Sequence, residues 1–454
     1  MPNVDAAWLH MDRPTNRAII NSVLWFDEPL ELEAVRGVLR ERIVERFPSF
    51  RCRAVEHGAL GGVDWEDDGD LELDLHLHHV ALPAPGDRPA LQQLVGDLAS
   101  TSLDRDKPLW DAYLIDGYGS GCALLLRIHH CIADGVALTR VLLSMTDHAG
   151  RRGARSATVI RAGRDEARHL LPGALEPLAR AGLDVAGSVV HAGRELILHP
   201  RRLADLAGYA DADTRALAEL LLAPHDPESA IHGELGPVQR VAWSEPFLLA
   251  QVKVIAHAHD ATVNDVLVSA VAGALGRHLE GADTAVDEIR AMVPFNLRPL
   301  DEPLPVQLGN RFGLVLLGLP VAITDPAARL RAVTERMSAV KRSRQGQVTY
   351  GILEAIGVAP VAVEDLVIEF FSAKSSLVLT NVPGPTEPVY LAGVRVGGVL
   401  AWAPYAGSMS MSVSVFSYAG DVSVGFLVDG GLVPDPDMLV AHFADELQAL
   451  TALT

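Results

Sequence analysis

The sequence predicts an α/β protein of two stacked units joined by a helical crossover, and three observations predict it. Strand-like runs alternate with amphipathic helical stretches over residues 1–150 and again over 235–454. Between them, 151–234 changes character: residues 151–202 hold ten arginines against five acids, in a chain of net charge −20. The length of 454 residues exceeds what one compact core serves and suits two or three domain-sized units.

The elements follow in order. Leu32, Val35, Leu39 and Ile43 share one face of a helix over 31–46, and "PSFRCRAVE" turns toward a strand. "LELDLHLHHV" (71–80) alternates, placing Leu71, Leu73, Leu75 and Leu77 on one face of a strand. A helix over 90–101 precedes Pro108-Leu109-Trp110. "DAYLIDGYGSGCALLLRIHH" then reads as two strands around a Gly-rich turn. Leu138, Val141, Leu142 and Met145 mark a helix after Asp134-Gly135. In the second half, "ATVNDVLVSAVAGALGRHL" is a helix opened by a Thr262/Asp265 capping box. "EIRAMVPFNLRP" and "SSLVLTNVPGP" are strands, and "DPAARLRAVTERMSAVKRSR" is a basic amphipathic helix. "MSMSVSVFSYAGDVSVGFLVD" is a hairpin, and "DPDMLVAHFADELQAL" is a closing helix.

Composition excludes several functions. Apolar residues make up 49% and charged residues 21%, the range of a globular chain, and the acidic balance argues against nucleic acid as a partner. Three cysteines (Cys52, Cys122, Cys131) make no disulfide framework and fit a reducing cytoplasm. The opening residues carry no secretion signal, and no uncharged run is long enough to span a bilayer. The expectation is a cytoplasmic protein that at most rests on a membrane surface.

The chemistry centres on "RIHHCIADG" (127–135), where a buried strand becomes a loop and then a helix. A metal site is one reading of His129, His130 and Asp134, but neighbours on a strand point to opposite faces, and the familiar ligand spacings are absent. Structural histidines with satisfied hydrogen bonds are a second reading. In the third, one histidine braces the loop while the other faces a cleft between the halves. A neutral imidazole there, titrating near physiological pH, takes a proton from a hydroxyl or amine. With no G-x-S-x-G elbow present, the economical reaction is direct attack of that acceptor on an activated acyl group.

These residues match the HHxxxDG signature, and the chain resembles the chloramphenicol acetyltransferase-like superfamily, within it the bacterial wax ester synthase/diacylglycerol acyltransferases. Pro108-Leu109-Trp110, Asn264-Asp265, "NVPGP" (Asn381 to Pro385) and the opening "DAAWLHMDRPT" carry the likeness in family order over nearly the whole chain. Trp8 and Asp12 stand where the family pattern has Phe and Glu. The resemblance implies two chloramphenicol acetyltransferase-like sandwich units around a central tunnel. The HHxxxDG unit would span 1–150, the crossover 151–234 and the second unit 235–454. It implies His130 as general base and His129 as its support, with Asp134 structural and Gly135 keeping the tunnel clear. "FPSFR" resembles the stretch that supplies an arginine to Asp134, which nominates Arg51. Asn264 is implied to face the histidine, where it or backbone N–H groups would hold the oxyanion, while Asp265 caps its helix. Asp12 would orient the site, Asn381 and Gly384 would shape the tunnel, and Trp110 would be a core aromatic near it.

The activity implied is transfer from acyl-CoA, a substrate, to a diacylglycerol or long-chain alcohol, with no metal or other cofactor. The product would be a triacylglycerol or wax ester, and peripheral contact with a membrane or lipid droplet is expected. The cations of 329–344 or of 151–202 would meet the CoA phosphates or the membrane. A condensation-type transferase fed by a carrier protein, and an inactive lipid-binding relative, are the alternatives.

Overall fold

The computed structural model describes residues 1–58, 62–69, 71–148, 212–298, 304–356 and 361–454, so the crossover expected over 151–234 lies outside the described residues up to 211. The chain opens with α1 (Asn3–Met11), β1 (Ile19–Phe26) and α2 (Leu32–Leu39), which runs on into a π-helical turn, Arg40–Val44. A β2–β3 hairpin (Cys52–Glu56, Val63–Asp67), β4 (Leu77–Ala81) and α3 (Arg88–Ala99) follow. Then come β5 (Trp110–Tyr118), β6 (Gly121–His129), α4 (Gly135–Ser144) and β7 (Asp147–His148).

Beyond the crossover lie α5 (Ala212–Leu222), β8 (Gln239–Trp243), β9 (Phe247–Leu248), α6 (Leu249–Ala258), α7 (Val263–Gly281) and β10 (Ile289–Asn296). They are followed by β11 (Phe312–Leu319), α8 (Pro326–Arg342), α9 (Gln345–Ile356), α10 (Val361–Ser372) and β12 (Leu377–Pro383). The last elements are β13 (Val389–Leu391), β14 (Val394–Trp402), β15 (Met411–Tyr418), β16 (Asp421–Asp429) and α11 (Asp437–Thr451).

Two seven-stranded sheets result, ordered β4-β5-β6-β1-β14-β13-β7 and β11-β10-β12-β15-β16-β8, with β9 also on β16. The first sheet does not coincide with residues 1–150. Its strands β13 and β14 come from 389–402, and β14 pairs antiparallel with β1 from Asn21↔Trp402 onward. The division at 150 and 235 therefore follows the chain but not the sheets. Each sheet is backed by its own apolar core. One runs under α2, α3 and α4, and the other lies between α6, α7, α8 and α11.

The capping signals form as read. Thr262 Oγ1 accepts the Asp265 N–H at 3.2 Å, and Asp265 Oδ2 accepts the Thr262 N–H at 2.9 Å. Residues 71–80 depart from the strand read there. Leu73–Leu75 form a 3-10 turn, Leu75 is exposed, and the strand starts only at Leu77. The reason is His76, which turns inward instead. Its ring stacks on Trp110 at 4.6 Å, and its Nδ1 lies 2.7 Å from the Trp110 carbonyl.

Candidate active site

β6 runs buried to its last residue and delivers His129 and His130 to the seam between the halves. The main chain of His130 is held at both ends: its N–H donates to Ala18 O at 2.8 Å, and its carbonyl accepts from Asn310 Nδ2 at 2.8 Å. The ring stacks on Trp8 of α1 with centroids 3.9 Å apart and leans on Phe312 of β11 at 5.4 Å. Nδ1 is buried without a hydrogen-bond partner. Burial, then the neighbouring His129, pushes the imidazole down to about 3, so it is neutral at physiological pH and does not titrate near it as the sequence reading expected.

His129 takes a different role. Its Nδ1 accepts the Cys131 N–H at 3.1 Å, which places the proton on Nε2, 4.0 Å from Asp12 Oδ2. Burial pushes it down to about 4. Asp12 also accepts the Ala18 N–H at 3.0 Å, bracing the residue whose carbonyl receives His130. The Cys131 thiol is buried, and that burial pushes it well up, which leaves no thiolate to act as a nucleophile.

Asp134 turns away from the imidazole. Its Oδ1 caps α4 through the Ala137 N–H at 2.7 Å, and its Oδ2 accepts the Arg311 N–H at 3.0 Å with the Arg298 guanidinium 3.9 Å away. Arg298, not Arg51, is thus the arginine facing Asp134. Arg51 pairs with Asp67 at 3.2 Å on the β2–β3 hairpin. Arg298 stands in plain view in "FNLRP" (295–299), but sequence cannot show that the loop after β10 returns to α4. That loop clamps the histidine loop directly, since Gly309 N donates to Ile132 O at 3.2 Å and Ala133 bridges Gly309.

Asn264 accepts from Asn381 Nδ2 at 2.6 Å, and neither residue is among those lining the cavity against His130. Val378 does line it, three residues earlier on β12, roughly 10 Å along an extended strand. Asp265 caps as expected. Gly384 is fixed by close packing, because a Cβ there would stand 2.4 Å from Ser417 O. At Gly135 a Cβ would meet no atom within 4 Å. Trp110 is a core aromatic, with its Nε1 donating to Phe50 O at 2.8 Å. Trp8, Phe312, Arg298 and Asn310 are the site residues that the sequence reading missed.

The cavity against His130 holds about 880 Å³ of space counted out through its mouth. Its walls are apolar side chains of α1, α5, β10, β11, α9, α10 and the 403–409 loop, among them Met11, Leu220, Met292, Leu353 and Phe371. Thr349 and Ser372 also line it, but their hydroxyls donate to main-chain carbonyls. His130 is the one titratable side chain in the lining among the described residues. No cluster of metal-ligating side chains occurs among those residues.

The basic helix is largely spent on structure. Arg329 binds Glu446, Arg336 pairs with Glu288 at 2.8 Å, and Arg344 with Asp213 at 2.6 Å. The other basic candidate, 151–202, lies outside the described residues.

A family model described as the wax ester synthase/diacylglycerol acyltransferase catalytic domain matches residues 1–267, and one described as the WS/DGAT C-terminal domain matches 308–451. A Mycobacterium tuberculosis protein named as the diacylglycerol O-acyltransferase tgs2 is 29% identical over 467 residues, covering 99% of this chain and 98% of its own. A Mycobacterium bovis protein named as a diacylglycerol O-acyltransferase is 29% identical over 402 residues, 87% of this chain and 82% of that protein. Among solved structures, a wax ester synthase/diacylglycerol acyltransferase from Marinobacter aquaeolei superposes with a TM-score of 0.69 at 20% identity, covering 100% and 99% of the two chains. The first condensation domain of a calcium-dependent antibiotic synthetase superposes at 0.59 with 18% identity, covering 99% and 94%. Both superpositions establish the fold.

Proposed function

The chain belongs to the wax ester synthase/diacylglycerol acyltransferase family, and on that footing we propose that it esterifies a neutral lipid hydroxyl with the acyl group of a long-chain acyl-CoA, using His130 as general base. One observation carries the reading: a neutral imidazole is the sole titratable side chain, among the described residues, on the wall of a large apolar cavity. Such a cavity accepts a hydrocarbon chain and leaves the chain's hydroxyl to the imidazole. Charged acceptors are disfavoured, because nothing in the lining compensates their desolvation.

His130 takes the hydroxyl proton as the oxygen attacks the thioester carbonyl. The tetrahedral intermediate collapses, the C–S bond breaks, and the imidazolium returns the proton to the departing CoA thiolate. The acceptor is a diacylglycerol or a long-chain alcohol, giving a triacylglycerol or a wax ester. His129 and Asp134 position the loop. Contact with a membrane or lipid droplet fits substrates of this kind, and among the described residues no helix is long and apolar enough to cross a membrane.

The test is thiol release from palmitoyl-CoA in the presence of hexadecanol or dioleoylglycerol. Acceptor-dependent release is expected, falling roughly 100- to 10,000-fold in His130→Ala. The faster acceptor separates wax ester from triacylglycerol synthesis. No release with either acceptor, but turnover with a carrier-bound acyl group, would move the chain to condensation-type chemistry.

A further inference from the structure

Helix α1 meets His130 twice. Trp8 covers the ring, and three residues earlier, on the same helical face, Asp5 is buried against the loop that holds the histidine's main chain. Asp5 Oδ1 accepts both from Asn310 N at 2.9 Å and from Asn310 Nδ2 at 2.7 Å. The same Nδ2 donates its second proton to His130 O at 2.8 Å. Asn310 Oδ1, by contrast, is buried and accepts nothing. The residue is held there for its donors alone.

From this geometry, and resting on His130 as the base, we infer that Asp5 and Asn310 are positioning residues for acyl transfer. Asp5 orients the Asn310 amide, and the amide fixes the His130 carbonyl and with it the ring against Trp8 and the cavity. The arrangement spans both halves: Asp5 lies on α1, His130 follows β6, and Asn310 sits on the loop between β10 and β11. Burial, with a smaller contribution from nearby Asp134, raises the Asp5 carboxyl to about 7, so it accepts from Asn310 while carrying less charge than an ordinary aspartate. Displacing a base by a fraction of an ångström costs turnover rather than substrate affinity, because binding in the cavity is apolar and made by other side chains.

The experiment uses the full chain with histidine rings labelled with ¹⁵N. The His130 ring resonances are identified by their loss in His130→Gln. Asn310→Ala and Asp5→Ala are compared with wild type for ring nitrogen shifts, kcat, KM and Tm. Both variants are expected to move the His130 resonances and to lower kcat about 10- to 100-fold, with KM for donor and acceptor within about twofold. Asp5→Asn, which keeps an oxygen for the Asn310 donors, is expected to recover most of what Asp5→Ala loses. A lower Tm with unmoved ring resonances and wild-type kcat per folded molecule would reduce the pair to a structural clamp and overturn the inference. The ring shifts decide this independently of turnover. An absence of acyl transfer in wild type would therefore count against the proposed function, while unmoved shifts count against the positioning role.

Discussion

At the scale of single residues, the site is a set of buried groups held away from their solution charge states, and pH exposes them. His129 and His130 fall to about 4 and about 3 from 6.5, mainly through burial. The unfolded chain therefore binds more protons than the folded one below pH 6.5. Stability linked to these groups is present above 6.5 and is lost as the pH falls toward 4 and 3. Asp5 runs the other way: its stability is full below 3.8 and is lost as the pH rises through about 7. Burial also raises Asp111, Asp226 and Asp437 and lowers His76 and His278, so the site's share is read by difference: between pH 4 and 6.5 the slope of Tm against pH is expected to be smaller than wild type in His130→Gln and larger in Asp5→Asn. Thermal melts of the three proteins across that range check it, and unchanged slopes would contradict it. Gly309 belongs to the same cluster. Its φ is +72°, and a Cβ would stand 3.2 Å from Asp5 Oδ2. Gly309→Ala is expected to destabilise by about 1–3 kcal/mol in a urea melt.

At the scale of elements, patterning exposed what is local and left the rest dark. The strand–loop–helix setting of His129, His130 and Asp134 was legible because a continuous apolar run ending at the two histidines gives way to helical spacing across Asp134-Gly135, and the Asp134 cap confirms where the helix starts. Thr262 and Asp265 were legible for the same local reason. The partner of Asp134 was not, since Arg298 reaches it only through tertiary return of the loop after β10. Nor was the part played by α1, whose Asp5 and Trp8 make sense only against the two halves they touch. The cavity walls depend on close backbone contact between elements: a Cβ on Gly313 of β11 would stand 1.7 Å from Gly346 O at the start of α9. With α9 pinned to β11, Leu353 cannot retreat from the cavity. Leu353→Trp is expected to lower kcat/KM for hexadecanol at least about tenfold more than for octanol. Equal losses on both alcohols would show that the acceptor chain lies elsewhere.

At the scale of the whole molecule, the two halves are interlocked. β1 is paired on one side by β6 and on the other by β14, and it is buried almost throughout. A fragment ending at residue 234 would leave β1 as a bare, apolar edge. Such a fragment is expected to partition into the insoluble fraction on expression to a greater extent than the full chain. A soluble fragment with a cooperative melt would refute this. The pairing of Asn21 with Trp402 also has a consequence in time. At ~5–20 residues per second, synthesis separates the two strands by tens of seconds. For most of that interval the histidine loop lacks Gly309 and Asn310, and throughout it β1 has no neighbour on one flank. The nascent chain thus spends most of its elongation with a strand that any other chain could cover, so the yield of active protein in a foreign host should follow chaperone supply and growth temperature more than message level.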